Sequence, residues 1–242
     1  MTHLNDLPLK HVNFFVTSSY PCSYLPGRMA RSLVATPSHS IDACTYGELI
    51  EKGFRRSGMY IYRPHCDFCQ SCIPIRVIVD AFKPDRSHRR TLNKNSKMTT
   101  KVKGLQFDPE HFALYERYQK TRHKEDGTAG IAEQYQQFLL RSNIDSVLVE
   151  FREDEVLRIV SLIDKVENGL SAVYTFYDPD LPAKGLGTYA ILWQIERCKK
   201  LGLPYLYLGY WIKASGKMAY KIRFAPLEVF THGNWQYFEP SS

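Results

Sequence analysis

Cys66, Cys69 and Cys72 stand at two successive two-residue gaps, in a stretch that also carries Arg55, Arg56, Arg63 and Arg76. One C-x2-C step folds into a tight knuckle that brings two thiolates to a single metal ion. The second step offers a third ligand, with a spacing like that of the first cysteines of an iron–sulfur loop. The neighbouring guanidinium groups would be expected to lower thiol pKa values and to hold a carboxylate or a phosphate. Cys44 sits in a polar loop and Cys198 on the apolar face of an expected helix, so both read as structural.

The elements that would position these groups can be read from periodicity and punctuation. Thr45 as N-cap, Glu48 at the third helical position and Gly53 at the end mark a short helix. Residues 59–62 and 75–79 alternate as strands on either side of the knuckle. The basic run 83–103 holds Arg86, Arg89, Arg90, Lys94, Lys97, Lys101 and Lys103, and reads either as a solvated helix or linker or as an anion-binding element. Helices are expected over 109–126 and 131–142, then a three-stranded meander over 147–151, 157–164 and 170–177. An amphipathic helix opens at Gly185-Leu-Gly-Thr-Tyr189, buries Ile191, Leu192, Ile195 and Cys198, and stops at Gly202. A strand over 206–212 and a hairpin over 229–238 follow.

Strand, Gly-x-Gly turn, long helix and strand form the centre of an N-acetyltransferase-like (GNAT-like) fold. Glycines ahead of a helix N-terminus let backbone N–H groups approach a phosphate or carbonyl. Two strands that splay beyond it leave a slot where an amine meets an acyl donor. Alone, Gly185-x-Gly187 is a weak signal, since many glycines only turn the chain. The expected class is α+β: a mixed sheet flanked by helices, with a smaller, irregular, cysteine-containing N-terminal domain. The expected division is a cysteine- and arginine-rich part over 1–80, a basic connecting segment over 81–104 and the GNAT-like domain over 105–242.

With 242 residues the chain has room for one large domain or two small ones. A net charge of +7 favours anionic partners. No apolar run approaches the roughly 20 residues that cross a bilayer, and the first residues lack the layout of an export signal. A cytoplasmic protein with reduced thiols and no membrane partner is expected.

Several segments together closely resemble the arginyl-tRNA–protein transferase family, and within it the bacterial leucyltransferase branch. They are Tyr24-Leu-Pro-Gly-Arg28, Gly53-Phe-Arg-Arg-Ser-Gly58, the cysteine run continued through Pro74 and Arg76, and Arg89-Arg90 with Asn95. Further on come Tyr115-x-Arg117-Tyr118-x3-Arg122-His123, Thr175-x-Tyr177-Asp178-Pro179 and Gly185-Leu-Gly-Thr-Tyr189. The tyrosine-rich strand through 203–212 and Lys217-Met-x-Tyr-Lys221 complete the match, which runs nearly end to end. The resemblance implies aminoacyl transfer from leucyl-tRNA to the α-amine of proteins beginning with Asp or Glu, creating an N-degron. Leucine rather than arginine as donor rests on that likeness and the short chain.

For that reaction the ester is already activated, so positioning, amine deprotonation and oxyanion stabilisation suffice, and no cofactor is required for transfer. An acidic acceptor side chain calls for a guanidinium fork: Arg56 and Arg76 first, then Arg55 and Arg63, each of which is equally explained by a structural salt bridge. Arg89, Arg90, Lys94 and Lys97 are expected to meet tRNA phosphates, with Lys213, Lys217 and Lys221 as a second patch. Tyr207, Tyr210, Trp211 and Tyr220 either stack unpaired bases or fill the core, with Tyr207 and Trp211 on one strand face and Tyr210 on the other. Asp178 and His123 are the candidate bases, and Tyr174 or Tyr210 would orient the amine. In the related eukaryotic enzymes an N-terminal cysteine and a Cys-Cys-Pro segment are tied to an iron–sulfur cluster; here the double cysteine is broken. Cys22 with Cys66, Cys69 and Cys72 would give four thiolates for zinc or a cluster, the alternative being free thiols that pack. Competing readings are an acetyl-CoA-dependent N-acetyltransferase, for which the pyrophosphate loop is incomplete, and a zinc-knuckle RNA-binding module, which leaves the sheet without a purpose.

Overall fold

The computed structural model describes residues 12–123 and 130–238, without the side chains of Arg122 and His123. In chain order the strands are β1 (Asn13–Val16), β2 (Tyr20–Pro21), β3 (Met29–Ala30), β4 (Ser32–Thr36), β5 (Arg55–Ser57), β6 (Tyr60–Pro64), β7 (Ile73–Ile78) and β8 (Thr99–Lys103). They continue with β9 (Ser146–Glu153), β10 (Val156–Val166), β11 (Gly169–Tyr177), β12 (Tyr205–Trp211), β13 (Leu227–Thr231) and β14 (Asn234–Phe238). The helices are α1 (Ala43–Glu51), α2 (Arg86–Lys94), α3 (Pro109–His123), α4 (Ile131–Leu139) and α5 (Leu186–Lys200).

A mixed sheet of eight strands runs β14-β13-β7-β12-β11-β10-β9-β8, and a four-stranded sheet runs β1-β4-β6-β5. Within the large sheet only β11 and β12 are parallel; α5 is the crossover that a parallel pair requires. Side-chain alternation sends Leu206 and Leu208 of β12 into a core with Leu192 and Ile195 of α5. Tyr207 goes to the other face, into a core with Tyr46 and Ile50 of α1 and Ile61 of the small sheet. A third core joins Tyr115 of α3 and Leu139 of α4 to Leu148, Leu162 and Phe176. The α+β class, a large mixed sheet flanked by helices, is what the sequence leads one to expect.

Several local readings change. Helix α1 starts two residues before Thr45, because Asp42 is the N-cap and accepts from the Thr45 N–H at 3.0 Å. The basic run folds as α2, closed by a reciprocal Asp85–His88 cap and packed on α5, followed by β8 at the sheet edge. The large sheet thus draws β7 from 1–80, β8 from 81–104 and the rest from beyond, so its hydrogen bonding does not divide at residues 80 and 104. Helix α3 extends at least to His123; its expected end at 126 lies outside the described residues. In β12 the register shifts between Tyr207 and Gly209, whose φ is +75°. An extra residue in a strand reverses the faces of everything after it. Tyr207 and Trp211, expected on one face, therefore enter different cores.

Candidate functional site

The parallel pairing of β11 with β12 spans only Gly169–Ser171 against Tyr205–Tyr207. Beyond it the strands part, and the Arg55 side chain lies in the gap. Its Nη2 donates to the carbonyls of Ala172 at 2.8 Å and Val173 at 3.0 Å, which β12 no longer reaches. Gly209 makes this passage possible: a Cβ there would stand 1.3 Å from Arg55 Nη1. The interior glycine of Leu208-Gly-Tyr-Trp211 was the visible signal for a bulge, but nothing local tied it to Arg55.

The opened slot is a cavity of about 700 Å³. Ala172 and Thr175 form one wall, Leu208 and Tyr210 the other, and Gly187 and Thr188 bring the first turn of α5 to it. Gly185, in a left-handed conformation with φ +65°, caps α5 without a side-chain hydrogen bond. First-turn N–H groups have no partner within a helix, so this end can receive an anion. The exposed Lys217 and Arg223 line the rim. A second cavity, of about 910 Å³, is bounded by Arg28, Arg63 and the cysteine knuckle. The two share Tyr24, Ser57, Tyr62 and Tyr210 in their walls. Burial pushes the Tyr24 hydroxyl up to about 12 and Tyr210 well above 10, so both stay protonated at neutral pH.

The expected acceptor forks Arg56 and Arg76 are already occupied. Arg56 grips Asp164 through Nε–Oδ2 at 2.6 Å and Nη2–Oδ1 at 2.5 Å, and also donates to Ser146 Oγ and the Gly58 carbonyl. The two side chains are 1% and 0% exposed. Arg76 lies between Glu51 and Glu228, with its guanidinium carbon 3.5 Å from the Tyr205 ring centre and 4.2 Å from that of Trp235. Neither can take a substrate carboxylate without abandoning its own. Of the expected set, Arg55 and the Asp164-bound Arg56 line the first cavity, and Arg63, held by the Lys52 carbonyl, lines the second. Arg28, which the resemblance alone had drawn attention to, contacts Cys69 Sγ at 3.6 Å and has no carboxylate partner among the described residues.

Asp178 is not poised as a base. It is buried, accepts from Arg117 at 2.8 Å and Arg158 at 2.6 Å, and lines neither cavity. His123 has its side chain outside the described residues. Tyr210 lines both cavities, with its hydroxyl 3.1 Å from the Gly53 carbonyl and 3.2 Å from that of Tyr62. Arg89, Arg90, Lys94 and Lys97 are exposed on and just after α2. Lys221 leaves the surface patch assigned to it: it is 5% exposed, with Nζ 2.6 Å from the Tyr210 carbonyl.

Cys22, Cys66, Cys69 and Cys72 all border the second cavity, and Cys66 pairs with Cys69 across the knuckle. Hydrogen bonding with Ser71 lowers the Cys69 thiol, while burial pushes Cys72 up to about 12. Among the described residues the ligand atoms of three or more metal-binding side chains come within 4.8 Å only at Asp108, His111 and Glu150. There Arg152 and Lys103 already face Glu150. The four thiols thus border one cavity, and no three of their sulfur atoms lie within 4.8 Å of one another.

A slot with a basic rim, sharing a tyrosine wall with a second cavity, suits a transferase that brings a polyanionic donor to a separate acceptor. Residues 20–90 match the N-terminal part of arginine-tRNA-protein transferase and residues 110–231 its C-terminal part, and the chain belongs to that family. It is 54% identical over 240 residues to the aspartate/glutamate leucyltransferase of Nitrosospira multiformis, across 99% of this chain and 96% of that protein. It is 52% identical to the protein of the same name from Thiobacillus denitrificans, across 98% of this chain and 99% of that one. Among solved structures, L-PGS from Bacillus licheniformis overlaps at a TM-score of 0.45 and 17% identity, over 69% of this chain and 48% of that one. No helix among the described residues is long and apolar enough to cross a membrane.

Proposed function

We propose that this protein is an aspartate/glutamate leucyltransferase, moving leucine from leucyl-tRNA to the α-amine of proteins that begin with Asp or Glu. The near full-length similarity to proteins so named carries this reading. The two cavities support this reading. The charged tRNA end enters the 700 Å³ slot past Lys217 and Arg223, while the exposed cations of α2 meet phosphates further along. Tyr220, exposed at that rim, offers a face for an unpaired base. The first turn of α5 faces the ester carbonyl or the phosphate beside it.

The acceptor approaches from the 910 Å³ side and meets the donor at the wall shared by Tyr62 and Tyr210. With Arg56 and Arg76 committed to internal carboxylates, Arg28 is the guanidinium that can pair with an acidic first residue. The new N-terminal leucine would act as an N-degron, in the cytoplasm where charged tRNA is made. The overall architecture is GNAT-like in this reading, and transfer needs no cofactor because the ester is the energy source.

The test offers radiolabelled leucyl- and arginyl-tRNA to peptides starting with Asp, Glu, Ala or Lys. Leucine should reach the Asp and Glu peptides. Transfer of arginine instead, or of nothing, overturns the assignment.

A further inference from the structure

Resting on that reading, one group lines the slot, as Asp178 does not. Lys221 lies in the short 3-10 segment Ala219–Phe224, buried, in the wall of the 700 Å³ cavity. Its Nζ donates to the Tyr210 carbonyl at 2.6 Å and lies 3.3 Å from Met218 Sδ. No carboxylate stands within ion-pair distance among the described residues, and Arg55 and Cys72 are the ionisable groups that bear on it. Asp85, His88, Tyr62 and Tyr210 share the cavity, and Lys217, Tyr220 and Arg223 flank it on or beside its own segment. Asp85 and His88 are committed to capping α2.

A buried ammonium without a counter-ion is costly, whereas a neutral amine there needs only hydrogen-bond partners. Burial and, next, the Arg55 guanidinium push Lys221 well below 10.5, with Cys72 opposing. A neutral amine that donates one hydrogen to the Tyr210 carbonyl keeps its lone pair available. Lys221 lines the first cavity, and Tyr210, whose carbonyl Nζ contacts, lines both.

We propose that Lys221 is the general base of the transfer. The acceptor α-amine attacks the ester carbonyl carbon, and its excess proton passes to Lys221 Nζ as the N–C bond forms. When the C–O bond to the terminal ribose breaks, Nζ returns that proton to the departing ribose oxygen. The products are an amide and a free hydroxyl, and Lys221 is neutral again. No other reactant is consumed.

The experiment measures single-turnover transfer from leucyl-tRNA to an Asp-peptide against pH, with rates corrected for the neutral fraction of the acceptor amine. The wild type should keep an acid limb, since protonation of Lys221 removes the base. Lys221→Ala should lose at least about 100-fold and the limb with it, in line with the usual worth of a positioned base. Lys221→Arg should be equally slow, because a guanidinium keeps the donors but stays protonated and has no lone pair to take up the proton. Methylamine and other small amines should restore part of the Ala variant's rate, increasingly with amine basicity. Thermal unfolding and leucyl-tRNA binding show that the variants are folded. A flat corrected wild-type profile overturns the proposal even if no variant folds. So does a folded Arg or Ala variant within threefold of wild type. A wild type that transfers nothing would instead refute the functional assignment.

Discussion

Replacing Arg56 by alanine distinguishes a structural ion pair from an acceptor site. The guanidinium and the Asp164 carboxylate form a two-point contact almost free of solvent, supported by Ser146. Removing one partner leaves a buried charge uncompensated, which costs about 3–5 kcal/mol. In a chain of this size each kcal/mol lowers Tm by roughly 2–4 °C, so Arg56→Ala should melt roughly 6–20 °C below the wild type. Urea titration should show a lower midpoint at an unchanged slope. At a temperature where both proteins are folded, KM for an Asp-peptide should change by less than threefold. The double variant Arg56→Met, Asp164→Leu should recover most of the stability, since an apolar pair of similar volume removes both charges. A singly substituted protein with the wild-type midpoint but a large rise in KM would refute this reasoning and return Arg56 to the acceptor pocket.

Gly209→Ala should lose transfer and about 1–2 kcal/mol of stability from the left-handed backbone alone, with more from expelling Arg55; a double-mutant cycle with Arg55→Ala should come out less than additive. Additive effects would show that the two residues do not share the gap. Arg28→Ala should raise KM for Asp- and Glu-peptides at least tenfold without changing the Kd for leucyl-tRNA, and Arg28→Lys should recover only part, because an ammonium lacks the fork; unchanged peptide kinetics would remove Arg28 from acceptor recognition. Alanine at Arg89, Arg90, Lys94 and Lys97 together should raise KM for leucyl-tRNA and flatten its dependence on log salt, and an unchanged slope would take α2 out of the tRNA interface.

The elements themselves were legible in the residues. The β9–β10–β11 meander and the β13–β14 hairpin follow from period-two alternation, and α5 from a glycine-opened run with Ile191, Leu192, Ile195 and Cys198 on one face. These signals need only near neighbours, because strand and helix periods place side chains by local geometry. The likeness spread over many segments carried the family, since each segment is a local string. Partnership was not legible. Arg56 meets Asp164 across 108 positions, and Arg76 meets Glu51 across 25 and Glu228 across 152. An arginine facing an internal carboxylate and one awaiting a substrate have the same flanking residues. The bulge at Gly209 was not read from the sequence, and only the approach of Arg55 shows what passes through it. Lys221 read as one more surface cation until packing buried it against Tyr210. Charge is a property of the residue, whereas its solvation and counter-ion belong to the folded neighbourhood, and those decide whether a cation binds, braces or takes up a proton.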